Sequence, residues 1–262
     1  MLRNPVCLIL VAHRAHPRYR LVVAANRDEF FARPTAASDY WREAPGVLAG
    51  KDLEKGGTWM GVAGNGRWSA VTNFRDGKPP ASVGLSRGQL VAAYLLGDMP
   101  AGAYAAEAAH NGGCYHGFNL LVGDGAGLHY LSNHASARAM LAPGVYGLSN
   151  GDLDAPWPKV EAGKRGLRDA LAQDEGADRL AENLLAMLGD RRTAREDVLP
   201  QTGISRDWEK ALSAAFIVAP GYGTRASTVL LEDHEGEVHW RERSFGEGGV
   251  LLEDRRYRFA AG

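Results

Sequence analysis

Strand-length apolar runs and helix-period patterns come in separate groups along this chain, and that grouping limits the fold more than any single motif does. Cys7-Leu8-Ile9-Leu10-Val11 and Arg20 to Ala25 read as two strands, with Ala12 to Tyr19, charged and holding Pro17, as their hairpin loop. Thr58 to Val62 and Trp68 to Asn73 form a second pair around Asn65-Gly66, a strong short hairpin signal. Helical spacing follows in Ser86 to Leu96 and in a shorter stretch from Gly102 to Ala109. Strands are expected at Gly117 to Val122 and Leu128 to Ser132 around the turn Gly123-Asp124-Gly125. Trp157 to Gln173 and Asp178 to Leu188 read as amphipathic helices, the second with Leu180, Leu184, Leu185 and Leu188 in step. The chain returns to strands at Ser213 to Val218, Arg225 to Glu232 and Val238 to Phe245. Grouped strands beside grouped helices indicate α+β layers rather than a parallel βαβ sheet. No Pro/Ser-rich linker interrupts the pattern, so one domain over 1–262 is expected.

Several function classes recede on composition. The formal net charge is −1, which gives no field favouring nucleic acid or an anionic membrane surface. The longest apolar stretches are too short to span a bilayer, and Met1 to Val6 does not read as a secretory signal. Two cysteines, Cys7 and Cys114, provide neither a disulfide framework nor a four-cysteine metal site. A cytoplasmic protein without a metal or other cofactor is the expectation, and the sequence sets no oligomeric state. The eight histidines show no metal-ligand spacing; His13 and His16 in the first hairpin loop are expected to be solvated, and Cys114 structural.

Cys7 opens an apolar strand near the N-terminus. A buried cysteine there is commonly a small core residue. As a first residue it would carry its own base, because a free α-amino group titrates near ~7.7–8.0 and takes up a thiol proton at neutral pH. That chemistry requires the absence of Met1 to Val6, either through self-cleavage at Val6–Cys7 or because the start is misassigned. A valine codon of the GUG type can initiate translation, which would place Val6 at a start and Cys7 next to it.

Asn26-Arg27-Asp28-Glu29 follows the second strand run, inside Ala25 to Pro34. In order after it come Gly56 to Val62, Gly66-Arg67, Ala70 to Arg75, Gly147 to Asn150, Leu153 to Val160 and Gly223 to Val229. This set resembles the NRDE family, related to the eukaryotic transport-and-Golgi-organization protein, over nearly the whole chain. The family is similar in turn to cysteine N-terminal-nucleophile (Ntn) hydrolases that cleave bile-salt conjugates and penicillin V. The resemblance implies a four-layer αββα sandwich of two antiparallel sheets flanked by helices. It also implies a site in which Cys7 attacks, Asp28 holds the α-ammonium, Asn73 and Asn150 steady an oxyanion, and Arg225 stabilises the thiolate or binds a substrate carboxylate. Each role stands beside a plainer one: a capping Asp28, turn-forming Asn73 and Asn150, and a surface ion pair for Arg225. Asn26, Arg27 and Trp59 are supporting candidates. The acylases carry an arginine three residues before their Asp, where this chain has Ala25.

On a regular strand Asn26 and Asp28 share one side while Arg27 and Glu29 share the other, so Arg27 and Asp28 cannot both meet Cys7. Two functions follow from the resemblance. One is a cysteine amidohydrolase cleaving a small-molecule, non-peptide amide through an acyl-enzyme. The other is a non-catalytic carrier of haem or acyl lipid on the same scaffold.

Overall fold

The computed structural model describes residues 6–75, 84–134 and 137–262. Its elements run β1 (Cys7–His13), β2 (Tyr19–Phe30), β3 (Thr35–Trp41), β4 (Ala44–Asp52), β5 (Met60–Ala63), β6 (Trp68–Asn73), α1 (Gly88–Leu96) and α2 (Ala101–His110). Next come β7 (Phe118–Gly123), β8 (Leu128–Ser132), β9 (Ala137–Met140), β10 (Gly144–Leu148), α3 (Pro158–Ala172), α4 (Ala177–Leu188) and α5 (Arg206–Ala211). The chain ends with β11 (Val218–Ala219), β12 (Tyr222–Asp233), β13 (Glu237–Phe245) and β14 (Leu251–Ala260). The architecture is α+β, with two antiparallel sheets that each carry helices. The chain divides into two compact units, the first drawn from the described parts of Met1–Ala32, Arg75–Lys78 and Pro143–Arg258.

In the first unit the sheet order is β10-β1-β2-β12-β13-β14, with β11 paired to β12. Every residue of β1 is buried, which is why its sequence reads as one apolar run. Its alternate residues Leu8, Leu10 and Ala12 join Val22 and Ala24 of β2 and Val229 and Leu231 of β12 in one core. Val160, Leu167 and Leu171 of α3 and Leu180, Leu184, Leu185 and Leu188 of α4 cover that face, at the spacing of helical stripes. α3 lies close to the sheet: a Cβ on Gly163 would come within 2.7 Å of Leu10.

The second unit is a meander in chain order, β3-β4-β5-β6-β7-β8-β9. α1 and α2 pack on it through Leu90, Val91, Tyr94, Leu95, Ala101 and Ala105, against Val71, Leu120, Val122 and Leu131. Arg67 closes the end of α1, donating to the carbonyls of Tyr94 and Met99. Among the described residues no helix is long and apolar enough to cross a membrane.

The hairpins expected at β1–β2 and β5–β6 are present, as are the four expected helices. Ser213 to Val218 is not a strand: only Val218–Ala219 pairs, and the preceding residues bind elsewhere, Phe216 N–H to Asp190 O and Ile217 N–H to Thr224 Oγ1. His13 is not solvated either. It is the last residue of β1 and buried, and burial with Arg14 and Arg20 nearby pushes its imidazole down to about 4. His16 is also largely covered, its ring stacked on Tyr19.

Candidate functional site

The site grows from the head of β1. Cys7 pairs directly opposite Arg27 on β2, and directly opposed residues project to the same face. Asp28 therefore points to the other face with Asn26. Asn26 is fully used there: Nδ2 donates to Leu188 O at 2.9 Å and to Ala215 O at 2.7 Å, while Oδ1 accepts from Ser227 Oγ at 2.6 Å. Its place is structural. Arg27 pairs with Glu29 at 3.3 Å on the Cys7 face, and its charge also favours the Asp28 carboxylate.

The peptide between Val6 and Cys7 is held from both sides. Asp28 N–H donates to Val6 O at 3.0 Å, and Cys7 N–H donates to Asn150 Oδ1 at 3.2 Å. Val6 is buried, with its N–H on the Tyr222 hydroxyl at 2.7 Å, and Ser149 Oγ donates to Cys7 O at 2.7 Å. The expected leader Met1 to Val6 otherwise lies outside the described residues.

Asp28 is wholly buried; Oδ1 accepts from Thr224 Oγ1 at 2.6 Å and Oδ2 has no partner among the described residues. Burial pushes its carboxyl up to about 6, against the pull of Lys159 and of the Thr224 hydrogen bond. The Cys7 thiol is pushed up to about 12, first by burial and then by the Asp28 charge, while Arg27 and the Asp28 N–H favour the thiolate. With Val6 attached, this thiol is protonated and unreactive at neutral pH.

Two cations complete the cluster. Lys159 is the second residue of α3, 4% exposed, and its Nζ has no partner among the described residues. Burial pulls it down to about 8; Asp28 and Cys7 work against that fall and Arg75 adds to it. Arg75 donates its backbone N–H to Asn150 O at 2.8 Å and its NH2 to Glu209 Oε2 at 3.3 Å, and its guanidinium lies 4.9 Å from the Trp157 ring centroid. Its Nε and NH1 are buried without partners among the described residues. Glu209 is anchored in turn by the Thr202 N–H and hydroxyl, at 2.8 and 2.6 Å.

Cys7, Asp28 and Asn150 thus come together in the first unit. Arg225 belongs to the same unit, at the β-bulge between Thr224 and Ala226. It is half-buried: NH1 donates to Phe30 O at 3.0 Å, and Arg27 and Glu29 both bear on its charge. Asn73 is the last residue of β6 in the second unit, opposite Phe118. Trp59 is also in the second unit, half-buried, its carbonyl accepting from Val71 N–H at 2.8 Å. Cys114 is exposed in a short 3-10 turn. Among the described residues no three metal-ligating side chains cluster.

Sequence reasoning missed Lys159, Arg75, Tyr222 and Ser149. One signal was available for Lys159. A cation in the first turn of a helix opposes the helix dipole, so a lysine directly after Pro158 calls for a specific reason. Arg75 offered none, because nothing local marks an arginine for burial.

A cysteine at the head of a buried antiparallel strand shares an α+β unit with a buried carboxylate and two buried cations. The Transport and Golgi organisation 2 family matches residues 6–247, and the chain belongs to that family. It is similar to the Transport and Golgi organization protein 2 homolog of Bos taurus, 36% identical over 261 residues, covering 91% of this chain and 93% of that one. The Homo sapiens homolog is 32% identical over 275 residues, covering 97% and 99%. The Drosophila melanogaster protein is 28% identical over 263 residues, covering 91% and 92%.

Proposed function

We propose that the protein, once Cys7 is its first residue, is a cysteine amidohydrolase acting on a small-molecule amide. The supporting observation is the Cys7 nitrogen, 3.2 Å from Asn150 Oδ1 and backed by the buried Asp28. Freed of Val6, that nitrogen becomes an amine with a lone pair, and Asn150 and Asp28 orient it. The amine takes the thiol proton, and the thiolate adds to the substrate carbonyl. The C–N bond breaks as the leaving amine recovers the proton. Water, deprotonated by the α-amine, then attacks the thioester; the C–S bond breaks, the acid leaves and the thiol re-forms. Arg225, in the same unit, keeps the alternatives the resemblance gives it, a cation for the thiolate or for a substrate carboxylate. Asn150 Oδ1 accepts from the Cys7 nitrogen, so its oxyanion role falls to its N–H donors.

One observation favours a second reading. A buried thiol held near 12 is inert, which suits a carrier, and the relatives' printed names speak of transport and Golgi organisation. Under that reading haem or an acyl lipid is the ligand and Cys7 is packing. The two are separated by expressing the form beginning at Cys7 beside the full chain. The hydrolase gives amide cleavage and covalent labelling by thiol-directed acylating probes in the Cys7-first form alone, lost in Cys7→Ser. Equal inactivity of both forms, with haem or acyl-chain binding that survives Cys7→Ala, establishes the carrier.

A further inference from the structure

The unused polar atoms around the head of β1 are not evenly divided between donors and acceptors. Among the described residues Asp28 Oδ2 lacks a donor, but Lys159 Nζ and Arg75 Nε and NH1 lack acceptors. Both cations are more than nine-tenths buried. Buried donors of this kind are costly unless something accepts from them, and charged ones more so. Asp28 does not fill the need: one of its oxygens is taken by Thr224, and Lys159 Nζ has no acceptor within hydrogen-bond reach. Glu209 does not either, because it reaches only NH2 of Arg75 and is otherwise bound to Thr202.

The two cations are also fixed. Arg75 is held through its backbone to Asn150, the residue that holds the Cys7 nitrogen, and its guanidinium lies over Trp157. Lys159 follows two residues later on a helix begun by Pro158. The next residue, Val160, packs in the core with Leu8 and Leu10 of β1, and the Lys159 charge feels Asp28, Arg75 and Cys7. A planar oxyanion with two oxygens and several lone pairs is the group that satisfies an ammonium and a guanidinium at once.

We propose that Lys159 and Arg75 form a subsite that binds a carboxylate carried by the ligand, next to Cys7. The substrate class is therefore an amide bearing a carboxylate within a few bonds of the cleaved carbonyl. This deepens the hydrolase reading and rests on it for the bond that is cut; the binding of the carboxylate does not depend on catalysis. Lys159 and Arg75 are specificity residues, and their substitution changes discrimination between charged and neutral ligands.

The test uses two probe pairs that differ only in charge. Succinanilate and its terminal carboxamide carry the group on the acyl side; N-butyryl-β-alanine and its carboxamide carry it on the amine side. Binding is measured by calorimetry in Cys7→Ala protein, both as the full chain and as the form starting at position 7. At least one carboxylate is expected to bind tenfold or more tightly than its carboxamide twin. Lys159→Met, with Arg75→Lys as a second and milder variant, is expected to erase most of that ratio while circular dichroism shows the fold intact. Equal affinity for both twins in every form, or a ratio unchanged by Lys159→Met, overturns the subsite. Cleavage is then followed in the Cys7-first protein. Charge-blind cleavage of both twins sinks the subsite and leaves the hydrolase standing; charge-selective binding without cleavage does the reverse.

Discussion

Lys159 is held where an isolated lysine would not stay. Its ordinary value is 10.5, and in the fold it titrates near 8. Between those values the folded state carries fewer protons than the unfolded chain, so stability rises with pH across that window. The difference corresponds to about 3 kcal/mol of penalty at neutral pH. Lys159→Met removes the penalty and keeps the side-chain volume, so urea unfolding at pH 7 should show a more stable protein with little further gain on going to pH 10. Asp28 acts with the opposite slope. It titrates near 6 instead of 3.8, so the folded state holds the extra proton and stability falls as pH rises from about 4 to 6. Asp28→Asn should flatten that limb in the same experiment. Cys7 gives the simplest check. In the full chain iodoacetamide at pH 8 should modify the exposed Cys114 and leave Cys7 untouched until the protein is denatured, as read by peptide mass mapping.

At the scale of elements, the site depends on how closely α3 approaches β1. Gly163 allows that approach, since a Cβ there would collide with the Leu10 side chain at 2.7 Å. Gly163→Ala should cost about 1–3 kcal/mol through overpacking and shift Lys159 with the helix, measurable as a lower denaturation midpoint. Leu184→Ala on α4 should cost about 2–5 kcal/mol by opening a cavity in the same core, and serves as a comparison that leaves α3 in place. Elements that announced themselves in the sequence are those whose side chains are buried in a regular pattern, such as β1, β2, β6, α3 and α4. Those that did not are β3, β4, β9, β10, β14 and α5. β14, Leu251–Ala260, is exposed or half-exposed throughout, and four of its residues are acidic or basic before Tyr257. Such a strand is held by its backbone ladder, which residue identity does not report. The reverse error at Ser213 to Val218 has the same origin: Phe216 and Ile217 are buried from a loop that packs on Phe245 of β13 and Tyr222 of β12 without joining the ladder.

For the whole molecule, each compact unit has its own sheet and its own apolar core. Hydrogen exchange followed by mass spectrometry should therefore find two sets of slow amides, one centred on β1, β2 and β12 and one on β5 to β7. The edge strands β3, β9 and β14 should exchange earlier in both. A single block of protection confined to one unit would contradict the two-core description. The sequence alone determined the α+β class, the first hairpin, the two long helices and the candidacy of Cys7, Asp28 and Asn150, because hydrophobic period and ordered motifs are written along the chain. It also settled the faces of Arg27 and Asp28, since alternation is a property of any strand. Only the tertiary structure decided that Lys159 and Arg75 are buried beside the thiol. A charged side chain gives up its hydration only through contacts made by residues distant in the chain, and no local pattern records those contacts.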